Sequence, residues 1–213
     1  MKVELVDVMG SDLSVVNAAR VSYSKFKDQF EDKDEKLIKF LAEHNHWSPF
    51  AHASLQFRIS APVFVARQLV KHQVGLVWNE VSRRYVSYAP ELYDITEWRG
   101  KPENSKQGSA GVIELDPTTK HNLEITMEQC KILYNTLITM GIAPEQARSV
   151  LPQSMMTEWI WSGTLYAFAR ICNLRCAKDT QLETRLVANK INDYCKEKFP
   201  ISWKHLIKEE INV

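Results

Sequence analysis

Ala53-Ser54-Leu55-Gln56-Phe57-Arg58-Ile59-Ser60 alternates strictly between small or apolar and polar side chains. A period of two sends Ala53, Leu55, Phe57 and Ile59 one way and Ser54, Gln56, Arg58 and Ser60 the other. That is a strand with one face on a core and the other lining solvent or a site. Pro62 follows at once and suits a first helical position, while Val63, Phe64, Val65, Leu69 and Val70 give a helix over 62–74 its apolar contacts. Gly75 is its stop. On such a helix Arg67 and Lys71 share a face, as do Gln68 and His72, being four apart.

Before this unit, Val3, Leu5, Val6 and Val8 make 2–8 a strand, and the adjacency of Leu5 and Val6 suits one buried on both faces. Ser11 or Asp12 caps a helix through Arg20, Arg20 to Ser24 is a polar turn, and 34–45 is a helix with acids near its start. After it, Gly100 to Pro117 reads as a surface loop. Asp116-Pro117-Thr118 opens a long helix to about Met140, closed by Gly141. Pro144 begins another that ends at Pro152, and 153–162 reads as a buried strand. A helix follows over 163–175, and Thr180 caps a last one to about Phe199, with Pro200 beyond it. The reading is α+β: an antiparallel sheet flanked by helices, with a long helical C-terminal half, in one catalytic domain spanning 1–213.

A net charge of +1 argues against generic nucleic-acid binding, and 45% hydrophobic with 25% charged residues is ordinary for a soluble globular protein. No apolar run is long enough to span a membrane. Cys130, Cys172, Cys176 and Cys195, with no signal-like N-terminus, suggest reduced thiols in a cytoplasmic compartment. His44, His46 and His52 invite a metal-dependent hydrolase reading, with His72 as a fourth candidate, but no carboxylate follows at ligand spacing. A nucleic-acid module using Arg67 to Arg84, with Trp78 and Tyr85 as stacking platforms, is the weakest alternative at this charge.

Chemistry is densest from Arg67 to Tyr85, where cations alternate with apolar residues and Asn79, Glu80, Ser82, Arg84 and Tyr85 crowd together. Asn79-Glu80-x-Ser82-x-Arg84-Tyr85 resembles the tail of the flavin-dependent thymidylate synthase signature, R-H-R, seven residues, then S. This chain has Lys71-His72-Gln73, then eight residues, Val74 to Val81, then Ser82. Further segments resemble the same family in order: Ala18 to Ser22, His46-Trp47-Ser48-Pro49-Phe50-Ala51-His52, Ala147-Arg148 with Leu151-Pro152, and Asn173-Leu174-Arg175 with Gln181-x-Glu183. Where the family has N-x-R-x-x-x-N, this chain offers Thr164, Tyr166 and Arg170.

The resemblance implies FAD as cofactor, NADPH as reductant and methylenetetrahydrofolate as carbon donor for methylation of dUMP to dTMP. It also implies a homotetramer whose sites draw on several copies, acting without an obligatory enzyme nucleophile. Carried over by position, Arg175 is the catalytic cation at the uracil ring. Gln68, Glu80, Ser82, Arg83, Arg84 and Arg148 hold substrate with it. His52, Lys71, His72, Gln73, Glu80 and Arg170 hold the flavin. No G-x-G-x-x-G strand–turn–helix is present, so a Rossmann dinucleotide site is not expected.

Overall fold

The computed structural model describes residues 1–103 and 108–208. In chain order it runs β1 (Lys2–Met9), α1 (Asp12–Arg20), a 3₁₀ turn (Val21–Tyr23), α2 (Asp32–Glu43), the single turn α3 (Ser48–Ala51) and β2 (Ser54–Pro62). Then come α4 (Val63–Leu69), β3 (Leu76–Glu80), α5 (Pro117–Thr139), the single turn α6 (Pro144–Ala147) and a 3₁₀ turn (Arg148–Val150). The chain closes with β4 (Met156–Thr164), α7 (Leu165–Arg175), α8 (Leu182–Lys198) and α9 (Pro200–Leu206).

The four strands form one antiparallel sheet in the order β1-β2-β4-β3. The alternation over 53–60 sets its inner face: Phe57 lies opposite Trp161 and Ile59 opposite Trp159, all four buried. Phe168 of α7 meets Phe57 and Trp161 edge-on at 5.0 and 5.6 Å, and Tyr194 of α8 lies 6.0 Å from Phe57. Each such ring removed from water contributes roughly 1.5–3 kcal/mol. The opposite sheet face carries the exposed Arg58, Val77 and Asn79. Among the described residues no helix is long and apolar enough to cross a membrane.

Several elements depart from the sequence reading. The helix expected over 62–74 stops at Leu69: Pro62 belongs to β2 with extended ψ of 153°, and Val70 is the C-cap. His72 and Lys71 therefore lie in the turn after α4 and do not continue its face. Gly75 is not the helix stop but the bend into β3, at φ +78°. A Cβ there would sit 3.1 Å from the Ala167 Cβ and 3.2 Å from Thr164 Oγ1, and Gly75 O accepts from Thr164 N at 3.0 Å. Gly163 is the matching need: a Cβ would strike the Leu76 side chain and sit 2.9 Å from Gly75 O.

The polar return after Gly75 is β3 itself, paired with β4 from Leu76–Gly163 to Glu80–Trp159. In β1 the adjacency of Leu5 and Val6 comes from a register shift between Leu5 and Asp7, with Val6 52% exposed, and not from burial on both faces. The helix expected over 34–45 begins earlier, at Asp32, and Asp34 is a buried N3 residue bonded to Lys27, Arg20 and the Glu31 amide.

Thr180 does not cap α8, since Gln181 holds that position; its hydroxyl donates instead to Leu174 O at the end of α7. Pro200 does not merely end a helix but opens α9. The amides of Ile201 and Ser202 donate to the Asp12 carboxylate at 3.0 and 2.8 Å, so the first residue of α1 caps α9. Four residues of the surface loop expected over 100–117, 104–107, lie outside the described residues. The stretches beside them are paired: Gly100 N donates to Gly111 O, Ile113 N to Trp98 O, and Arg99 bridges Val112. Asp116 caps α5 as expected, its carboxylate accepting from the Thr118 and Thr119 amides.

Candidate active site

Helix α7 leaves β4 through Thr164, whose hydroxyl caps it by accepting from Ala167 N at 3.1 Å. Three turns on, its last residue, Arg175, is carried to the turn that follows α4. There Arg175 Nε donates to His72 Nε2 at 3.0 Å, with both side chains half-buried. Burial lowers the pKa of Arg175, which still stays charged at any working pH. Burial, then the charges of Arg175 and Arg170, pushes His72 below the ordinary histidine value, so the ring is neutral near pH 7. Its acceptor role at Nε2 requires the proton on Nδ1.

The Asn173-Leu174-Arg175…Gln181-x-Glu183 segment acts largely as a mount for that arginine. Asn173 donates to Leu206 O at 2.8 Å and accepts from Lys208 N at 2.9 Å, tying α7 to the end of α9. Glu183 is buried and accepts from Arg99 Nη2 and from Gln181 Nε2. Burial would raise its carboxyl, but the Arg99 hydrogen bond leads a set of contacts that hold it below the usual value. Next to it, the fully buried Thr184 donates its hydroxyl to Gln68 Oε1, which orients the Gln68 amide. Thr184 was not singled out from the sequence; its position beside Glu183 is the only hint there.

A second group forms at the end of β3. Glu80 Oε1 accepts from Thr157 Oγ1 at 2.7 Å and Oε2 from Trp78 Nε1 at 3.2 Å. Trp78 stacks on Trp159 at 4.3 Å, so it is half-consumed by the sheet and poorly placed as a nucleic-acid platform. Thr157 is also missing from the sequence reading, because only the β4 register brings it to Glu80. Ser82 Oγ accepts from the Arg84 amide and, at 3.5 Å, from Arg84 Nε. Arg84 is exposed, its guanidinium 5.2 Å from the Tyr85 ring. Arg83 is buried and donates to Tyr88 O at 2.7 Å, holding the return loop. Arg148 is exposed on its 3₁₀ turn, with Nε donating to Glu145 O.

The sequence-predicted residues thus fall into separate groups. His72, Arg175 and the nearby charge of Arg170 meet, and Gln68 is fixed by α8. Among the described residues no hydrogen bond joins Arg84 or Arg148 to Arg175. His52, Lys71, Gln73 and Arg170 are exposed. A cavity of about 500 Å³ on the open sheet face is lined by Ala51, Ser54, Gln56, Gly75, Val77 and Thr164 among others, Ala51 preceding His52 in the chain and Gly75 lying two residues after Gln73. His44 and His46 pack on Phe40 at 4.1 and 5.8 Å, and among the described residues no three His, Cys, Asp or Glu side chains are placed to hold a metal ion.

The family model of the thymidylate synthase complementing protein, Thy1, matches residues 4–201. A flavin-dependent thymidylate synthase of Kosmotoga olearia is 39% identical over 204 residues, covering 95% of this chain and 88% of that protein. The chain belongs to the flavin-dependent thymidylate synthase family. A flavin-dependent thymidylate synthase of Thermus thermophilus is 36% identical over 210 residues, covering 97% of this chain and 77% of its own length. Among solved structures, the UMP/dUMP methylase PolB from Streptomyces cacaoi bound with 5-Br dUMP superposes with a TM-score of 0.83 at 29% identity, covering 96% of this chain and 93% of that one. The same methylase bound with 5-Br UMP gives a TM-score of 0.80. A flavin-dependent thymidylate synthase is a methyltransferase enzyme, and this chain is one by family.

Proposed function

We propose that this flavin-dependent thymidylate synthase methylates dUMP to dTMP with methylenetetrahydrofolate as carbon donor and NADPH as reductant, through FAD. The observation that carries this reading is Arg175, half-buried at the end of α7 and held through Nε by a neutral imidazole. Its Nη groups remain as donors for a uracil carbonyl, where they stabilise negative charge that develops as C5 becomes nucleophilic. Gln68, its oxygen held by Thr184, presents its amide N–H groups to the base or ribose. Arg84 and Arg148 are exposed forks suited to the dianionic phosphate. Arg83 holds the loop on which Ser82 and Arg84 sit, so its part in substrate binding is indirect.

The chain's exposed groups fit a flavin dinucleotide. Lys71 and Arg170 offer cations for a pyrophosphate, and Gln73 and His52 offer hydrogen bonds to a ring edge or ribose. His72 reaches a cofactor only through its Nδ1 edge, because Nε2 is committed to Arg175. Bound FAD supplies the hydride chemistry that no side chain can. This reading gives Ser82 no nucleophilic role, which is supported by its oxygen accepting from Arg84 and by no histidine base being among its hydrogen-bond partners in the described residues. Glu80 has both oxygens held by Thr157 and Trp78, which presents a fixed carboxylate for a ribose hydroxyl or a positioned water.

Assembly as a homotetramer brings the scattered arginines together. Helix α5 supports this: of 23 residues only Tyr134 is fully buried, while Ile125, Ile132 and Leu133 are exposed. A second reading extends the substrate to UMP, favoured by the likeness to a methylase that holds both 5-Br dUMP and 5-Br UMP. The test is to purify the protein with FAD, record the flavin absorbance, and assay methylation of dUMP and UMP with both co-substrates. A yellow protein forming dTMP is expected; no bound flavin and no methylated nucleotide would end the proposal.

A further inference from the structure

Arg175 has one partner among the described residues, and the partner is a neutral ring rather than a carboxylate. We propose that His72 is the positioning residue of this site, holding Arg175 by its Nε–H so that the guanidinium plane is fixed and both Nη groups stay available to substrate. The proposal rests on the reading of Arg175 as the catalytic cation. A guanidinium has donors only, so the hydrogen bond demands a lone pair on His72 Nε2 and the proton on Nδ1. A carboxylate in this place would orient the arginine equally well but cancel its charge. An imidazole orients it and leaves the full positive charge for the developing anion.

The surroundings keep the ring in that form. His72 is half-buried after α4, and Arg175 and Arg170 of α7 are the charges that act on it, both disfavouring its protonation. Lys71, next in the chain, is exposed, and Gln68 of α4 and Thr184 of α8, which bond each other, are uncharged. Acid therefore has a defined effect. A protonated His72 sets an N–H against the Arg175 N–H and a second cation beside the first, and Arg175 is released from its aim.

The experiment has two arms. In long-range ¹H–¹⁵N spectra of the full chain without cofactor, His72 is expected as the Nδ1–H tautomer, titrating below the ordinary value of about 6.5. In Arg175→Leu its titration moves upward. A wild-type Nε2–H tautomer, or a titration indifferent to Arg175→Leu, overturns the proposal. In the second arm, dUMP methylation by the holoenzyme is followed against pH. Wild type loses kcat on the acid side. His72→Gln, whose side chain keeps an acceptor but cannot titrate, restores part of the kcat that His72→Phe loses and lacks that acid limb. His72→Phe, with no acceptor, loses kcat by about 10²-fold, the scale of a misplaced catalytic group, with a smaller change in the KM for dUMP. An active wild type with an unaffected His72→Phe overturns the role of His72 alone. A wild type inert on both nucleotides overturns the functional reading as well.

Discussion

Arg175 and His72 are 103 positions apart in the chain, and Arg175 Nε donates to His72 Nε2 at 3.0 Å. Replacing Arg175 by Ala removes the donors proposed for the uracil while the contacts of Asn173, Thr180 and Glu183 persist. Arg175→Ala is expected to lower kcat by about 10²–10³-fold, as for loss of one charge-stabilising donor, with a thermal midpoint within a few degrees of wild type. Turnover near the wild-type rate would remove Arg175 from the chemistry; a collapse of the melting transition would make it a structural residue. Arg175 stands out in the sequence because it lies in a segment that resembles the family. Its link to His72 does not, because the sequence places His72 on a helix that stops three residues before it. Arg83 shows the reverse: it sits within the motif, yet its side chain is spent on Tyr88.

At the scale of elements, chain propensity explains the strong strand over 54–62 and the capped start of α5, while contacts from afar explain the rest. Strand β3 has only five residues and two of them, Asn79 and Glu80, are poor strand formers. It exists because β4 offers it a ladder, and because Gly75 and Gly163 let the two backbones approach. Helix α9 likewise depends on a carboxylate from the other end of the chain. Asp12→Ala removes acceptors from the Ile201 and Ser202 amides and is expected to cost about 1–2 kcal/mol in denaturant unfolding. Asp12→Asn, with one acceptor left, falls between the two. An unchanged midpoint for Asp12→Ala would mean that α9 is held by Trp203 and Ile207 packing alone.

At the scale of the whole molecule, one chain pairs Arg175 with His72 but leaves Arg84 and Arg148 exposed and without a hydrogen bond to it among the described residues, so completion of the site by neighbouring copies is the expectation. Sedimentation at micromolar concentration should give four times the chain mass. Leu133→Glu on the exposed side of α5 should yield smaller species that have lost most dUMP methylation but keep their secondary structure. A fully active monomer would overturn shared sites. The sequence by itself determined the family, through ordered motifs from His46 to Glu183, and the α+β class, through the period of two over 53–60. It determined these because both are local: a motif and an alternation are each read within a few consecutive residues. Only the tertiary structure decided that β3 is a strand, that Asp12 caps α9, and that His72 holds Arg175. Each of those is a contact between segments far apart in the chain, and no local pattern encodes which distant group will complete a backbone or side-chain hydrogen bond once the core has closed.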